Sequence, residues 1–478
     1  GAVRGLALRL YHRLPAPARS LAATLEGYYL RWWRYGPTSE RLMQEAIERE
    51  HWTFEQWAAW REERLAYVLE RAATRVPYYR DQWSARRRQG DRASWERLEN
   101  WPILEKETVR LQPRAFVADD RSVRRMFHLR TSGTTGTPLE VWRTHEAVRG
   151  LYGIGLARTR GWHGLGLNDR RAMLGGQLVT PVQQRRPPFW VWNAGLRQLY
   201  MSSYHLAPDL IPSYLDALAR YRVVYLVGYA SSLHALAQAA LRAGRRDLKM
   251  VVALASSERL DDDQRAEITA AFQCPVRETY GMAENVAAAT ECPSGRLHQW
   301  PEVGHIEVFD GGRPVPAGAF GEFVCTGLLN ADMPLIRYRL ADCGRFAPAE
   351  ERCPCGRTLP VIAGVEGRTT DLLLTRDGRR VFWLNPVLYG LPVRQAQFVQ
   401  ETLDRIVVRY VADPGFNADS SATIALRLRE RMGDVQVELE EVAEVPRTSG
   451  QKLRSVICNV SPAEREAVLQ LQRDRQPT

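Results

Sequence analysis

Apolar and polar residues alternate with a helical period through the first 100 residues, where Glu, Arg, Ala and Leu dominate and strand formers are few. The stretch WAAWREERLAYVLERAAT (57–74) carries that period over several turns, and Pro77 is expected to close its helix. From about 101 to 365 the pattern changes. Short β-rich runs (YRVVYLVGY, MVVALAS, GHIEVF and EFVCTGLL) alternate with helical ones (SSLHALAQAALRAG and DDDQRAEITAAF), which predicts a layered α/β domain. The run GVEGRTTDLLLTRDGRR (364–380) is rich in Gly and charge and reads as a junction. Beyond it RIVVRYV, SATIALRLR and LRSVICNV read as strands among helical segments, so a small α+β domain is expected to follow. The expected division is a large domain over 1–367, mostly helical over 1–100, and a small one over 368–478.

Composition narrows the class without choosing a function. A 478-residue chain with 45% hydrophobic and 25% charged residues fits several soluble globular domains, and no apolar stretch is long enough to cross a bilayer. The first residues, GAVRGLALRLYHRL, lack a continuous signal-peptide core, which reads as cytoplasmic. A net charge of +11 favours anionic partners, and ATP, pyrophosphate and coenzyme A qualify as well as nucleic acid. Part of the charge is local: Arg4, Arg9, Arg13, Arg19, Arg31 and Arg34 face only Glu26 in the first 36 residues, among Leu, Tyr and Trp. Such a segment suits peripheral association with an anionic membrane. Packing of its apolar stripe on the domain behind it is the commoner outcome.

Two groups of residues carry chemistry on their face. TSGTTGTP (131–138), just after the strand-like MFHLR, can turn its backbone so that successive N–H groups and hydroxyls point at one anion. It lacks the Gly-Lys-Ser/Thr of a Walker loop. A plain Thr/Gly turn is the alternative. Seven cysteines, an odd number, argue against a disulfide framework. Cys292 with His298, and Cys353 with Cys355, supply three thiolates and an imidazole, a complete tetrahedral zinc set with Pro and Gly beside each pair; unligated buried thiols are the alternative. The two pairs lie too far apart in sequence for a zinc finger and no recognition-helix motif accompanies them, so no nucleic-acid partner is expected.

TSGTTGTP resembles the phosphate-binding motif of the adenylate-forming superfamily of acyl-CoA synthetases, adenylation domains and luciferases. Four further segments match in the family's order. WPILEKETVR (101–110) resembles the segment before this loop in the phenylacetate-CoA ligase branch, and ETYGMAEN (278–285) resembles Tyr-Gly-x-x-Glu. RYRLADCGRF (337–346) resembles the Tyr-x-x-x-Asp segment, and VEGRTTD with PRTSGQK resembles the hinge and the C-terminal lysine loop. The long Arg-rich N-terminus and the stretch 187–204 are more like the members associated with capsular polysaccharide.

The resemblance implies a large multi-layer adenylation domain with a helical extension and a small mobile α+β domain. It implies ATP-dependent activation of a carboxylic acid as acyl-AMP, then transfer to coenzyme A; transfer to an amine and a catalytically silent scaffold are the alternatives. By resemblance Thr131, Ser132, Gly133, Thr134, Thr135 and Gly136 grip phosphates, Glu284 ligates Mg2+, and Tyr280 and Gly281 lie against the nucleotide. Asp342 takes the ribose hydroxyls with Arg368 nearby, Ser257 and Glu258 with Ser256 contact adenine, and Lys452 bridges carboxylate and α-phosphate. Tyr229 and Ala230 border the acyl pocket, with the aromatic stretch 187–204 as a wall suited to a flat apolar acid. The zinc arrangement recurs in some phenylacetate-CoA ligase relatives. Three positions depart from the family pattern: Thr137 where many relatives have Lys, with Arg143 as a stand-in; Gln451, which lengthens the lysine loop by one; and Thr370 beside Asp371 in the hinge expected over 368–371.

Overall fold

A computed structural model describes residues 2–130, 139–207, 209–348, 351–368, 372–381, 384, 387–388, 390–448 and 453–475. The chain opens with five helices: α1 (Ala2–Arg13), α2 (Ala16–Arg34), α3 (Pro37–Arg49), α4 (Phe54–Arg75) and α5 (Pro77–Arg88). Thr53 starts α4 by accepting from the Gln56 N–H, while the Gln56 side chain accepts from the Thr53 N–H, a reciprocal cap. Pro77 does more than stop that helix. It is the first residue of α5, where its missing N–H costs nothing.

A sheet of thirteen strands, counted among the described residues, organises the large unit. Its centre is five parallel strands in the spatial order Gln198–Ser202, Arg171–Gly175, Tyr225–Tyr229, Ala253–Ser256 and Val276–Gly281. Helices Ile211–Arg220, Ala230–Arg242 and Asp262–Phe272 supply the crossovers, and Leu226, Leu233, Leu236, Ile268 and Phe272 form part of the core between the layers. Antiparallel strands extend the sheet from Ala288–Glu291 to the edge at Arg313–Pro314. The opposite edge is Trp190–Asn193.

Past the sheet lies a smaller unit with its own core, a four-stranded sheet in the order Gln436–Glu441, Arg405–Ala412, Val393–Thr402, Val456–Cys458. One element there differs from its sequence reading. SATIALRLR lies inside the helix Ala418–Met432, although its alternating Ile, Leu and Arg resemble a strand. Two features override that alternation: the Asn417 side chain caps the Ser420 N–H, and Ile424, Leu428 and Met432, four apart, bury one helical face.

Candidate active site and metal centre

The parallel strands deliver the expected nucleotide-side residues to one end of the sheet. Tyr229, Ser256 and Thr279 are in register, so Tyr229, the turn after Ser256, and Tyr280 with Gly281 all emerge at the strands' C-terminal ends. In open α/β sheets this is where ligands bind, because the crossovers leave a crevice there. Ser257 takes a left-handed backbone (φ +66°), turning the chain so that Glu258 faces back toward the helix Ala230–Arg242.

Glu284 follows in the loop after Gly281 and is buried. Its Oε1 accepts from Lys106 Nζ at 2.9 Å and from the Tyr338 hydroxyl at 3.1 Å. Lys106 reaches this point because WPILEKET is zipped to strand Tyr338–Phe346. The Leu104 N–H donates to the Arg337 carbonyl at 2.9 Å, and the Arg339 N–H donates to the Leu104 carbonyl at 3.0 Å. Trp101, 1% exposed, anchors the segment from beneath. The resemblance of this segment to the family assigns no role to Lys106 or Tyr338; the sequence signal for Lys106 is a lysine that follows the apolar run Trp101–Leu104.

Asp342 lies in that same strand, paired in register with Arg368, and its Oδ2 accepts from the Tyr280 hydroxyl at 2.7 Å. The Arg143 guanidinium is buried and donates to the Ala283 carbonyl, propping the loop that carries Glu284.

Glu258 is fully engaged with backbone. Its Oε2 accepts from the Ser231 N–H at 2.9 Å and its Oε1 from the Leu453 N–H at 2.7 Å. Ser231 lies in the first turn of its helix, where a carboxylate is favoured. Leu453 belongs to the small unit, bridged to Arg447, and Arg447 donates to Ser231 Oγ at 3.1 Å. Leu453 and Arg447 are thus tied to the turn and the helix start that follow strands Ala253–Ser256 and Tyr225–Tyr229. Lys452, the phosphate-loop residues Thr131 to Gly136 with Thr137, and Thr370 and Asp371 of the hinge lie outside the described residues. Arg368 is described in its backbone only, at the end of strand Val361–Arg368.

The expected aromatic wall is rearranged. Residues 190–202 form a strand hairpin in which Trp190 packs edge-on to Tyr214 and Trp192 stacks on Tyr221, ring centroids 5.8 and 5.4 Å apart, so both tryptophans serve packing at the sheet edge. Tyr200 and Tyr204 of the same stretch converge with Tyr229 on Gly176 and Gln177. Tyr204 donates to the Gly176 carbonyl at 2.9 Å, Tyr200 accepts from the Gln177 N–H at 3.3 Å, and the Tyr229 hydroxyl meets the Gly176 backbone. Burial raises the pKa of Tyr229. Ala230 is wholly buried in the core beneath its helix and offers no surface to a substrate. A cavity of about 590 Å³ lined by Tyr35, Met43 and Leu156 lies apart from all of these residues.

The four metal-ligand candidates do come together. The ligand atoms of Cys292, His298, Cys353 and Cys355 all lie within 4.8 Å of one another. Cys292 Sγ is 3.6 Å from Cys353 Sγ, and Cys355 Sγ is 3.4 Å from His298 Nε2. Tetrahedral zinc with ordinary bond lengths separates two sulfurs by about 3.8 Å and sulfur from nitrogen by about 3.5 Å. The donor set therefore fits zinc. His298 Nδ1 lies 2.9 Å from the Leu359 carbonyl, which fixes the proton there and leaves Nε2 for a metal. Gly295 and Gly356, at φ +76° and +77°, make the two tight loops. The Cys353 loop joins the far ends of the strands that carry Asp342 and Arg368, and is tied to the end of α3: Arg357 Nε donates to Glu50 Oε2 at 2.7 Å and the Thr358 N–H to the Glu50 carbonyl at 2.9 Å.

A large mixed sheet with its polar residues gathered at the C-terminal ends of parallel strands, and a small α+β unit fastened over them, is the architecture of an adenylate-forming enzyme. The chain belongs to the AMP-binding enzyme family, whose model matches residues 58–331, and it lies on the phenylacetate-CoA-ligase-like branch near CapK. The CapK C-terminal domain matches residues 373–459. The chain is 24% identical to Protein CapK of Staphylococcus aureus over 78% of its own length and 82% of that one. It is 28% identical to phenylacetate-coenzyme A ligase of Thermus thermophilus, over 44% of this chain and 54% of that one. Among solved structures, 2-hydroxyisobutyryl-CoA ligase in its postadenylation state superimposes with a TM-score of 0.67 at 20% identity, over 89% of this chain and 94% of that one.

Proposed function

We propose that this protein uses ATP and Mg2+ to convert a carboxylic acid into an acyl-AMP, releasing pyrophosphate, and then transfers the acyl group to coenzyme A. One observation carries this reading: Glu258, in the turn after strand Ala253–Ser256 and next to the strand that presents Tyr280, accepts from the Leu453 N–H and so holds the backbone adjoining Lys452 at the C-terminal ends of the parallel strands. In the first half-reaction a carboxylate oxygen attacks the α-phosphorus and the bond to the β-phosphate bridging oxygen breaks. Both reactants are anions, so the ammonium of Lys452, brought in by its loop, would stabilise the charge that gathers between them. Thr131 to Gly136 would hold the phosphates through backbone N–H groups and hydroxyls. Bound magnesium neutralises phosphate charge, and Glu284 would be its protein ligand, giving up Lys106 for the dication.

Tyr280 would pack against the nucleotide while its hydroxyl orients Asp342, whose carboxylate accepts from the ribose diol. Arg368, in register with Asp342, would assist there. Ser257 and Gly281 would let the backbone approach the adenine side. Tyr229, with Tyr200 and Tyr204, would border the acid, and three phenol rings favour an aromatic acid. In the second half-reaction the thiol attacks the acyl carbon, the bond to AMP breaks, and the thiol proton leaves with AMP. Rotation about 368–371 would exchange the lysine loop for the surface that admits the thiol.

The cysteine–histidine cluster would hold a structural zinc. With four protein ligands no position remains for water, so the ion would brace the Cys353 loop against α3 and take no part in the reaction.

Mass spectrometry of reaction mixtures offered an acid, ATP and either coenzyme A or a primary amine tests the acceptor. Thioester formation with at least one acid supports the reading, and amide formation alone replaces its second half. ATP consumption with neither product would restrict the protein to the adenylate.

A further inference from the structure

Helices α1 and α2 are fastened along one side to the edge of the sheet and its neighbouring segment, and the end of α2 also meets helix His145–Gly155. Tyr11 donates to the Val179 carbonyl at 3.1 Å and His12 Nε2 lies 2.8 Å from the Leu178 carbonyl. In α2, Thr24 Oγ1 accepts from the Ala194 N–H at 3.1 Å and Arg31 donates to the Gly195 carbonyl at 3.2 Å. Gly27 is the point of closest approach, since a Cβ there would lie 1.8 Å from Asn193 Oδ1. This side covers the open backbone edge of strand Trp190–Asn193, which would otherwise invite pairing.

The side turned away from the sheet is apolar. Leu21, Leu25, Tyr28 and Trp32, spaced by four, three and four, run along α2 with exposures of 61, 64, 58 and 55%, Trp32 at the end also meeting the His145 ring edge-on at 4.4 Å. Leu10 on α1 and Leu14 just after it are exposed as well. Such spacing makes one continuous helical stripe, and so large an exposed apolar stripe signals a partner. Charge identifies its kind. Arg9 and Arg13 are exposed among the α1 leucines, and Arg185 and Arg186 are exposed in the segment to which α1 is tied. Glu26 is the single acidic residue in α1 and α2. Exposed leucines with Tyr and Trp, together with exposed arginines on the neighbouring helix and segment, match the boundary between headgroups and acyl chains, where aromatic rings and cations both find favourable contacts.

We propose that α1 and α2 dock this protein on an anionic lipid surface, with the α2 stripe entering the interface and the four arginines meeting the headgroups. The proposal is independent of the reaction assigned above, and it would place activation of the acid at a membrane.

Co-sedimentation of the full chain with vesicles tests it. The protein should pellet with mixed phosphatidylcholine and phosphatidylglycerol vesicles, and much less with phosphatidylcholine alone. Leu21→Gln/Leu25→Gln/Tyr28→Gln should reduce the bound fraction at least about tenfold, with an unchanged melting temperature because these side chains are exposed. Arg9→Glu/Arg13→Glu should remove the preference for phosphatidylglycerol. Failure to pellet with either vesicle, or undiminished binding by the triple variant, overturns the proposal. So does a lipid-free dimer that the triple variant converts to monomer, since the stripe would then belong to a second copy of this chain.

Discussion

The Tyr280 hydroxyl donates to Asp342 Oδ2 at 2.7 Å, although three strands separate the strands of these two residues in sheet order. The sheet must curl to close that gap, and the curl brings the motif of the parallel half onto the antiparallel half. Removing the hydroxyl tests what the contact does. Tyr280→Phe keeps the ring and should raise KM for ATP about fivefold, the worth of one hydrogen bond. Asp342→Asn should cost more, of order a hundredfold, because it removes both the charge and one acceptor. Steady-state kinetics with varied ATP reads both.

Glu258 links the two units through Ser231 and Leu453. Glu258→Ala leaves both N–H groups without this partner and should slow adenylation by about tenfold or more. Limited proteolysis should show faster cleavage within 445–455 in the same variant. An unchanged rate with unchanged proteolysis would deny the link a part in positioning Lys452.

Lys106 neutralises a buried carboxylate. Lys106→Ala should lower stability without nucleotide by about 1 kcal/mol, modest because the lysine is half exposed and the Tyr338 hydroxyl remains. Magnesium and ATP should then raise the melting temperature of the variant more than that of the parent, because the dication takes over the same oxygen. Thermal melts with and without MgATP measure the difference.

Zinc should be present at one equivalent by elemental analysis. Cys353→Ser/Cys355→Ser should lose it and cost more than about 2 kcal/mol of stability. Metal content retained in that variant would place the ion elsewhere.

His305 gives the pH response a sign. Burial, with Arg61 and Arg337 close by, lowers its pKa to about 4 from 6.5. The unfolded chain therefore binds this proton at a higher pH than the folded one. The resulting stability is fully present above about 6.5 and is lost as pH falls toward 4. Melting temperature against pH should slope less steeply in His305→Gln over that range.

Much of this was legible in the sequence because the features are local. The parallel strands read as apolar runs ending in Gly, Ser or Tyr, and the Cys/His set could be recognised before its four members were brought together. What was hidden depends on distant packing. Lys106 and Glu284 are 178 residues apart, and nothing near either names the other. The engagement of Glu258 with Leu453 likewise needs the small unit in place. SATIALRLR misled because an alternating run inside a capped helix can carry both periods, and the buried spacing of Ile424, Leu428 and Met432 decides it. Trp190 and Trp192 resembled a substrate wall because aromatic richness does not say which face a strand presents.

Carboxylate-dependent adenylation with Lys452 as its cation is read most directly by exchange of labelled pyrophosphate into ATP. Aromatic, fatty and amino acids would each be offered with magnesium. Exchange is expected with at least one acid, and it is abolished in Lys452→Ala while ATP binding persists. Silence across the whole panel with ATP still bound, or exchange undiminished in Lys452→Ala, would contradict it.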